Sequence, residues 1–156
     1  MKVSKRGEYG MRALCHLAER YDEGLTHIRD IAAQEEIPPK FLEGILLALK
    51  RAGFVRSRRG NEGGYALARA PGEIMVGEVI RSLDGPLAPL ASEDELKVLS
   101  DRDRPQCGLY LILLDVHEAV TRILDRTSLA DVIERGRRAN DETSGAGEKN
   151  GVLARI

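Results

Sequence analysis

Apolar residues recur at helical spacing from the start of the chain. Gly10, Ala13, Leu14, Leu17, Ala18 and Tyr21 follow the i, i+3, i+4, i+7 rule, which predicts one buried stripe on a helix from about Ser4 to Tyr21, stopped by Asp22-Glu23-Gly24. Thr26 is placed to cap a second helix with Ile28, Ile31 and Ala32 on its inner side, and Glu35-Glu36-Ile37 forms the turn after it. Pro38 and Pro39 open a third helix, where a missing amide donor costs nothing. Leu42, Ile45, Leu46 and Leu49 fall within a narrow arc of that helix and must face a core. The opposite arc carries Lys40, Gly44, Leu47 and Arg51, flanked by Glu43.

After Gly53, which suits the left-handed position that ends a helix, the period changes from helical to alternating. Phe54-Val55 begins one short strand and Tyr65-Ala66-Leu67 returns as a second, joined by the tip Gly60-Asn61-Glu62-Gly63-Gly64, whose residues tolerate positive φ. Pro71-Gly72 closes the unit. Val76, Val79, Ile80 and Leu83 predict a fourth helix, broken by Asp84-Gly85-Pro86. Residues 87–106 read as a polar connection with one helical turn, Glu93 to Leu99, that Ser92 can cap. From Leu109 to Asp125 runs the longest apolar helix, with Leu109, Ile112, Leu113, Val116, Val120, Ile123 and Leu124 as a heptad-like seam that Leu111 and Leu114 widen. Ser128 caps a short last helix ending near Arg135, and residues 136–156, rich in Gly, Asn, Asp and Ser, are expected to be a disordered tail.

This order predicts a mainly α fold with one small β-hairpin. Residues 1–85 form a winged helix-turn-helix, residues 86–135 hold the connection and a dimerisation helix, and residues 136–156 follow as the tail. So much apolar surface on a helix remote from the small N-terminal core predicts packing on the same helix of a second subunit; docking within the chain is the other way to cover it.

Charge sharpens the picture. The chain of 156 residues has a formal net charge of −1, but residues 1–69 carry 13 Lys and Arg against 9 Asp and Glu, or +4. Residues 70–156 carry 11 against 16, or −5. Lys50, Arg51, Arg56, Arg58 and Arg59 fall within ten residues that contain no acid, a local field suited to phosphate. In a winged helix-turn-helix the third helix enters the major groove and the wing follows the backbone or the minor groove. Lys40, Lys50, Arg51, Arg56 and Arg58 are then candidates for phosphate contact. Arg59 at the hairpin tip and Glu43, which can accept from a cytosine amino group, are candidates for base contact. Gly44, inside a helix at a cost of about 1 kcal/mol relative to alanine, fits a close approach to DNA or a neutral surface position.

Other classes fit less well. After residue 85 there is no room for a cofactor-binding sheet and no Gly-x-Gly-x-x-Gly loop, so an enzyme is not expected. A winged helix used only for protein contact is the alternative, and the basic wing argues against it. No segment has the length of apolar run that a membrane span needs, and the N-terminus lacks a signal-peptide core, which predicts a cytoplasmic protein. Two cysteines, Cys15 and Cys107, are too few for a disulfide scaffold and lack zinc-site spacing. They are candidates for thiol sensing, with two unreactive thiols as the other reading. His16, His27 and His117 are the only histidines and read as ordinary, partly exposed side chains.

Four segments carry a family resemblance: residues 1–14, Ile37-Pro38-Pro39-Lys40-Phe41-Leu42-Glu43, the wing pattern from Arg59 through Gly63-Gly64-Tyr65 to Leu67, and residues 76–85. Over about residues 1–135 the chain resembles the Rrf-two (Rrf2) family of bacterial winged helix-turn-helix transcription regulators, IscR-, NsrR- and CymR-like. The resemblance implies a homodimer on double-stranded DNA with Pro38, Lys40, Phe41, Glu43, Gly44 and Arg59 facing it. The order of elements is the plan of a repressor, and control by a small-molecule or protein effector stands beside thiol sensing as an open alternative. The resemblance also implies, for cluster-binding members, three cysteines before the long helix, where this chain has only Cys107. Glu95 and Asp101 stand at six-residue steps upstream and Tyr110 where a histidine ligand would be. Carboxylates replace thiolates poorly at an iron–sulfur cluster, so no cofactor is expected. Glu8 leaves a non-standard set with Cys107 and a histidine open, because an acidic residue at that place serves as a cluster ligand in some members.

Overall fold

The computed structural model describes residues 3–60, 62–87, 92–101 and 107–151, with side chains described as far as Glu142. Position 61 of the hairpin tip, residues 88–91 and 102–106 of the connection and 152–156 of the tail lie outside the described residues. Among the described residues seven α-helices and one hairpin follow in the order α1 (Lys5–Glu19), α2 (Ile28–Gln34), α3 (Pro39–Arg51), β1 (Val55–Arg58), β2 (Gly64–Leu67), α4 (Val76–Asp84), α5 (Glu93–Ser100), α6 (Cys107–Asp125) and α7 (Leu129–Gly151). This is the mainly α, winged helix-turn-helix plan expected from the sequence.

The core forms where the apolar stripes of α1, α2, α3 and α4 meet. Leu14, Ile31, Leu42, Leu46, Leu49 and Val79 have no exposed surface, and Ile45 is 1% exposed. Two glycines set the helix spacing: a Cβ at Gly7 would enter the Asp84 carboxylate, and one at Gly10 the Leu83 side chain. The close crossing of α1 on α4 is fastened at its end by Asp84, which accepts from Ser4 N at 2.9 Å and from Ser4 Oγ at 2.5 Å. Ser4 Oγ in turn accepts from Gly7 N at 3.0 Å and so caps α1.

Several local expectations are corrected. Thr26 does not cap α2; His27 is the N-cap residue and makes no side-chain cap bond. The backbone of Thr26 instead exchanges two 2.8 Å hydrogen bonds with Tyr65, adding a one-residue third strand to the wing, a long-range pairing that local helix-start chemistry does not foresee. Tyr21 is exposed because α1 ends at Glu19, before its stripe would reach that side chain. His16 is 5% exposed rather than partly exposed, since α1 turns that side toward the end of α2. Helix α7 does not stop at Arg135 but continues to Gly151. A single glycine costs a helix about 1 kcal/mol and no proline follows, so Gly136 is a weak stop, bridged by the 2.8 Å pair Arg138–Glu134.

The second region is built differently. α5 starts at a capping box between Ser92 and Glu95, packs on α6, and buries Leu96. α6 has 19 residues and none of them is buried. Its joint to the winged unit is Val76, Ile80 and Leu87 packed with Met11, Leu124 and Val132. The 2.7 Å pair Arg81–Asp125 and a backbone bridge between Met75 and Ser128 complete the joint. Among the described residues no helix is long and apolar enough to cross a membrane.

Candidate nucleic-acid interface

Pro38 and Pro39 start α3 and its four leucine and isoleucine anchors fix its rotation, so the opposite arc must face outward. Every residue expected to meet DNA is exposed: Pro38, Lys40, Phe41, Glu43, Gly44, Lys50, Arg51, Arg56, Arg58 and Arg59. Phe41 is 56% exposed and Leu47 47%, two large apolar side chains on a solvent face. A Cβ added at Gly44 would meet open space, so nothing within the chain requires glycine there.

The wing is joined to α3 and stiffened from within. Lys50 Nζ donates to Ser57 Oγ at 2.7 Å, tying the end of the helix to β1. Strand pairing sets Val55 against Leu67 and Arg58 against Gly64. Arg58 Nη2 donates to the Glu62 carbonyl at 3.1 Å and so braces the hairpin. Gly63 and Gly64 leave no room for a side chain: a Cβ at Gly64 would lie 2.5 Å from the Thr26 carbonyl, and one at Gly63 would enter the Arg58 carbonyl. Gly53 and Gly60, at φ 80° and 109°, supply the left-handed turns on either side of β1.

Sequence reasoning missed the contribution of the first two helices. Arg6 lines a shallow cleft with Lys40, Phe41 and Gly44, placing another cation at the α3 surface. Tyr9 holds Phe41 edge-on with ring centroids 6.3 Å apart, and Lys5 and Arg12 lie over the Tyr9 ring at 5.6 and 5.9 Å. Arg29, beside Gly60, borders the wing tip. The only signal in the sequence was that Arg6 and Arg29 sit off the buried stripes of their helices.

The dimerisation candidates divide. Leu109, Ile112, Val116 and Ile123 are exposed at 55, 60, 44 and 61%, while Leu113 and Val120 are half-buried. The half-buried side of α6 continues through His117, whose Nε2 lies 3.7 Å from Glu93 of α5. One edge of the expected seam is thus used within the chain, and among the described residues the other is exposed.

The sensing candidates are not brought together by the fold. Glu8 pairs with Lys5 at 2.8 Å and lies 3.9 Å from Arg12, and the Lys5 hydrogen bond holds its carboxyl below the ordinary range. Cys15 is half-buried and packs against the core together with Ile133, not in open solvent. Burial, aided by Glu19 and Glu35, pushes its thiol up to about 11. Cys107 begins α6 and is half-buried. Among the described residues no three His, Cys, Asp or Glu side chains gather to hold a metal ion.

Comparison with known proteins adds independent findings. The family pattern described as Rrf2, iron-dependent transcriptional regulator, matches residues 3–135. The HTH-type transcriptional regulator CymR of Bacillus subtilis is 36% identical over 132 residues, covering 85% of this chain and 89% of that protein. The HTH-type transcriptional regulator NsrR of Geobacillus kaustophilus is 34% identical over 137 residues, covering 86% and 90%. The solved structure of CymR, described as the global cysteine regulator of B. subtilis, superposes with a TM-score of 0.73 at 32% identity, covering 86% of this chain and 98% of that one.

Proposed function

The chain belongs to the Rrf2 family of DNA-binding transcription regulators, which are not enzymes, and from that premise we propose that it works in the cytoplasm as a homodimeric, sequence-specific repressor. What carries the reading is the pairing of two surfaces. All ten residues expected at DNA are exposed on α3 and the wing, and so is the Leu109, Ile112, Val116 and Ile123 edge of α6. A second copy of α6 covers that edge. Two recognition helices then address a two-fold symmetric operator, and occupancy of the site excludes polymerase.

Within this reading Lys40, Lys50, Arg51 and Arg56 neutralise phosphates, joined by Arg6 and Arg29. Arg58 keeps the hairpin rigid as well, and Arg59 reaches a groove edge from the tip. Phe41, braced by Tyr9, offers an apolar contact to a thymine methyl, and Glu43 offers an acceptor. The naked backbone at Gly44 lets the helix approach closely.

No three-thiolate iron–sulfur cluster belongs to the reading. The chain has two cysteines, and Cys15 lies against the core with its proton held tightly. Glu8 is engaged by Lys5 and Arg12, and Glu95 by the cap of α5. These donors do not fit a cluster. Burial pushes the Cys15 thiol up to about 11 and so keeps it protonated near neutral pH, which argues against a thiol switch there.

The test is binding to a genomic operator fragment across a salt series, with sedimentation of the free protein. A dimer whose operator affinity falls steeply with salt, and which binds random DNA at least roughly 1,000-fold more weakly, is expected. Salt-independent binding, or equal affinity for random DNA, overturns the reading in favour of a protein-contact module. Protein purified without oxygen is expected to be colourless, and stoichiometric iron and sulfide would restore a cluster.

A further inference from the structure

On α6 the residues Leu109, Ile112, Val116, Ala119 and Ile123 follow one another at alternate steps of three and four, the spacing of a coiled-coil seam. Ala119 is the small, half-buried member; the other four are 44 to 61% exposed. One flank of the seam, Leu113 and Val120, is half-buried, on the side where His117 reaches Glu93 of α5. The other flank carries Asp115 and Arg122. Both are exposed, and among the described residues neither has an ion-pair partner. Seven residues separate them, about 10.5 Å along the helix, too far for one to neutralise the other.

A two-fold axis offers two ways to set this seam on a second copy of itself. In a parallel pair each seam residue meets its own counterpart. Ala119 then faces Ala119 of the partner subunit and leaves a gap between larger layers, while Asp115 and Arg122 lie beside the partner's Val120 and the partner's Thr127, where no charge answers them. An antiparallel pair centred between residues 117 and 118 fits better. Ile112 meets the partner's Ile123, and Val116 meets the partner's Ala119, so that a large residue fills the space beside a small one. Leu109 falls against the aliphatic stem of the partner's Arg126. The same register sets Asp115 beside the partner's Arg122, and symmetry repeats that contact. Ile112 and Ile123, the two most exposed apolar residues of α6 at 60 and 61%, become each other's cover.

We propose that the two copies join through α6 in this antiparallel register, with Asp115 and Arg122 as the residues that fix orientation and partner choice. The inference rests on the homodimer reading above and adds what selects the partner. The apolar layers supply the affinity, since exposed ion pairs contribute little. The charges act by exclusion: a parallel copy, or a related helix with other charges at these two places, forfeits both contacts. Each α6 is fastened to its own winged unit at its C-terminal end, through Leu124 and the 2.7 Å pair Arg81–Asp125. Reversing one helix sets the two Asp125 joints about 22 Å apart along the axis, at 1.5 Å per residue, instead of side by side. Winged units held apart in this way can address half-sites one turn from each other on DNA.

The test co-expresses two full chains, one lengthened by a short tag, so that native mass spectrometry separates both homodimers from the mixed dimer. Tagged and untagged wild type set the random value, about one half mixed. The double variant Asp115→Arg with Arg122→Asp keeps opposite charges together in its own homodimer but sets like charges together against wild type. Mixed dimers of these two are expected to fall below about one fifth, because two exposed pairs exchanged for two repulsions shift the balance roughly tenfold. The single variants Asp115→Arg and Arg122→Asp, expressed together, should do the reverse and give more than about four fifths mixed dimers, since only the mixed pair joins opposite charges. Far-ultraviolet dichroism checks that each variant is folded. Random mixing in either experiment overturns the register, and an excess of mixed dimers between wild type and the double variant overturns it in favour of a parallel pair. A wild-type chain that sediments as a monomer overturns the homodimer reading itself, which random mixing of intact dimers would leave standing.

Discussion

The winged unit and helix α6 are made of similar residues and have opposite fates. In α3 the four apolar anchors Leu42, Ile45, Leu46 and Leu49 are at most 1% exposed, whereas in α6 four apolar residues at comparable spacing are 44 to 61% exposed. The winged unit meets its own α1, α2 and α4 on every apolar stripe. Among the described residues α6 packs chiefly on α5 and α4, which cover one of its edges. The difference teaches that the winged unit completes its core within one chain, while α6 keeps exposed the apolar edge that the proposed second copy would cover. It also separates two kinds of exposed apolar residue: Phe41, backed by Tyr9, and Leu47 stand on the proposed DNA face, and the α6 set lies along the edge of the long helix.

That contrast breaks most sharply at α6. Fully burying a side chain of this size is worth about 1.5–3 kcal/mol. The double variant Ile112→Glu with Ile123→Glu is therefore expected to sediment as a monomer, keep the thermal transition of its winged unit within a few degrees, and lose operator affinity by roughly 100-fold or more. A dimer surviving both charges would mean that another surface joins the copies. The winged unit should show the reverse response: Leu46→Ala should lower the unfolding free energy by about 2–5 kcal/mol in a urea titration. A loss under about 1 kcal/mol would mean that its core is looser than its burial indicates.

Smaller effects divide the winged unit into fold and interface. Arg59→Ala should leave stability unchanged and cost about 1–3 kcal/mol in operator binding, with no equal loss on random DNA. Undiminished discrimination would remove Arg59 from base readout. Gly44→Ala should separate the two roles by sign: stability rises by up to about 1 kcal/mol, since the Cβ has open space and helix interiors favour alanine, while operator affinity falls. A gain in both would return Gly44 to a neutral surface position.

Much of this was legible beforehand where the cause was local. The stripe of α3, the left-handed Gly53, the cap at Ser92 and the span of α4 follow from spacing and backbone chemistry, and the structure has all of them. Thr26 misled because its role lies with Tyr65, 39 positions away, and His16 because its partner Glu35 comes from the end of the next helix. Gly136 misled because one glycine is too weak a stop to end a helix that nothing else interrupts.

By itself the sequence determined the periodicities, the turns and the concentration of cations on the third helix and wing, because each depends on neighbours within a few residues. Only the tertiary structure decided which Cβ atoms were forbidden, as at Gly7, Gly10 and Gly64, and that Arg6 and Tyr9 would lie against α3. It also decided that Arg12 and His16 would meet Glu35 beside a cavity. Those outcomes depend on the angle and distance at which helices far apart in sequence cross, and no local pattern encodes either.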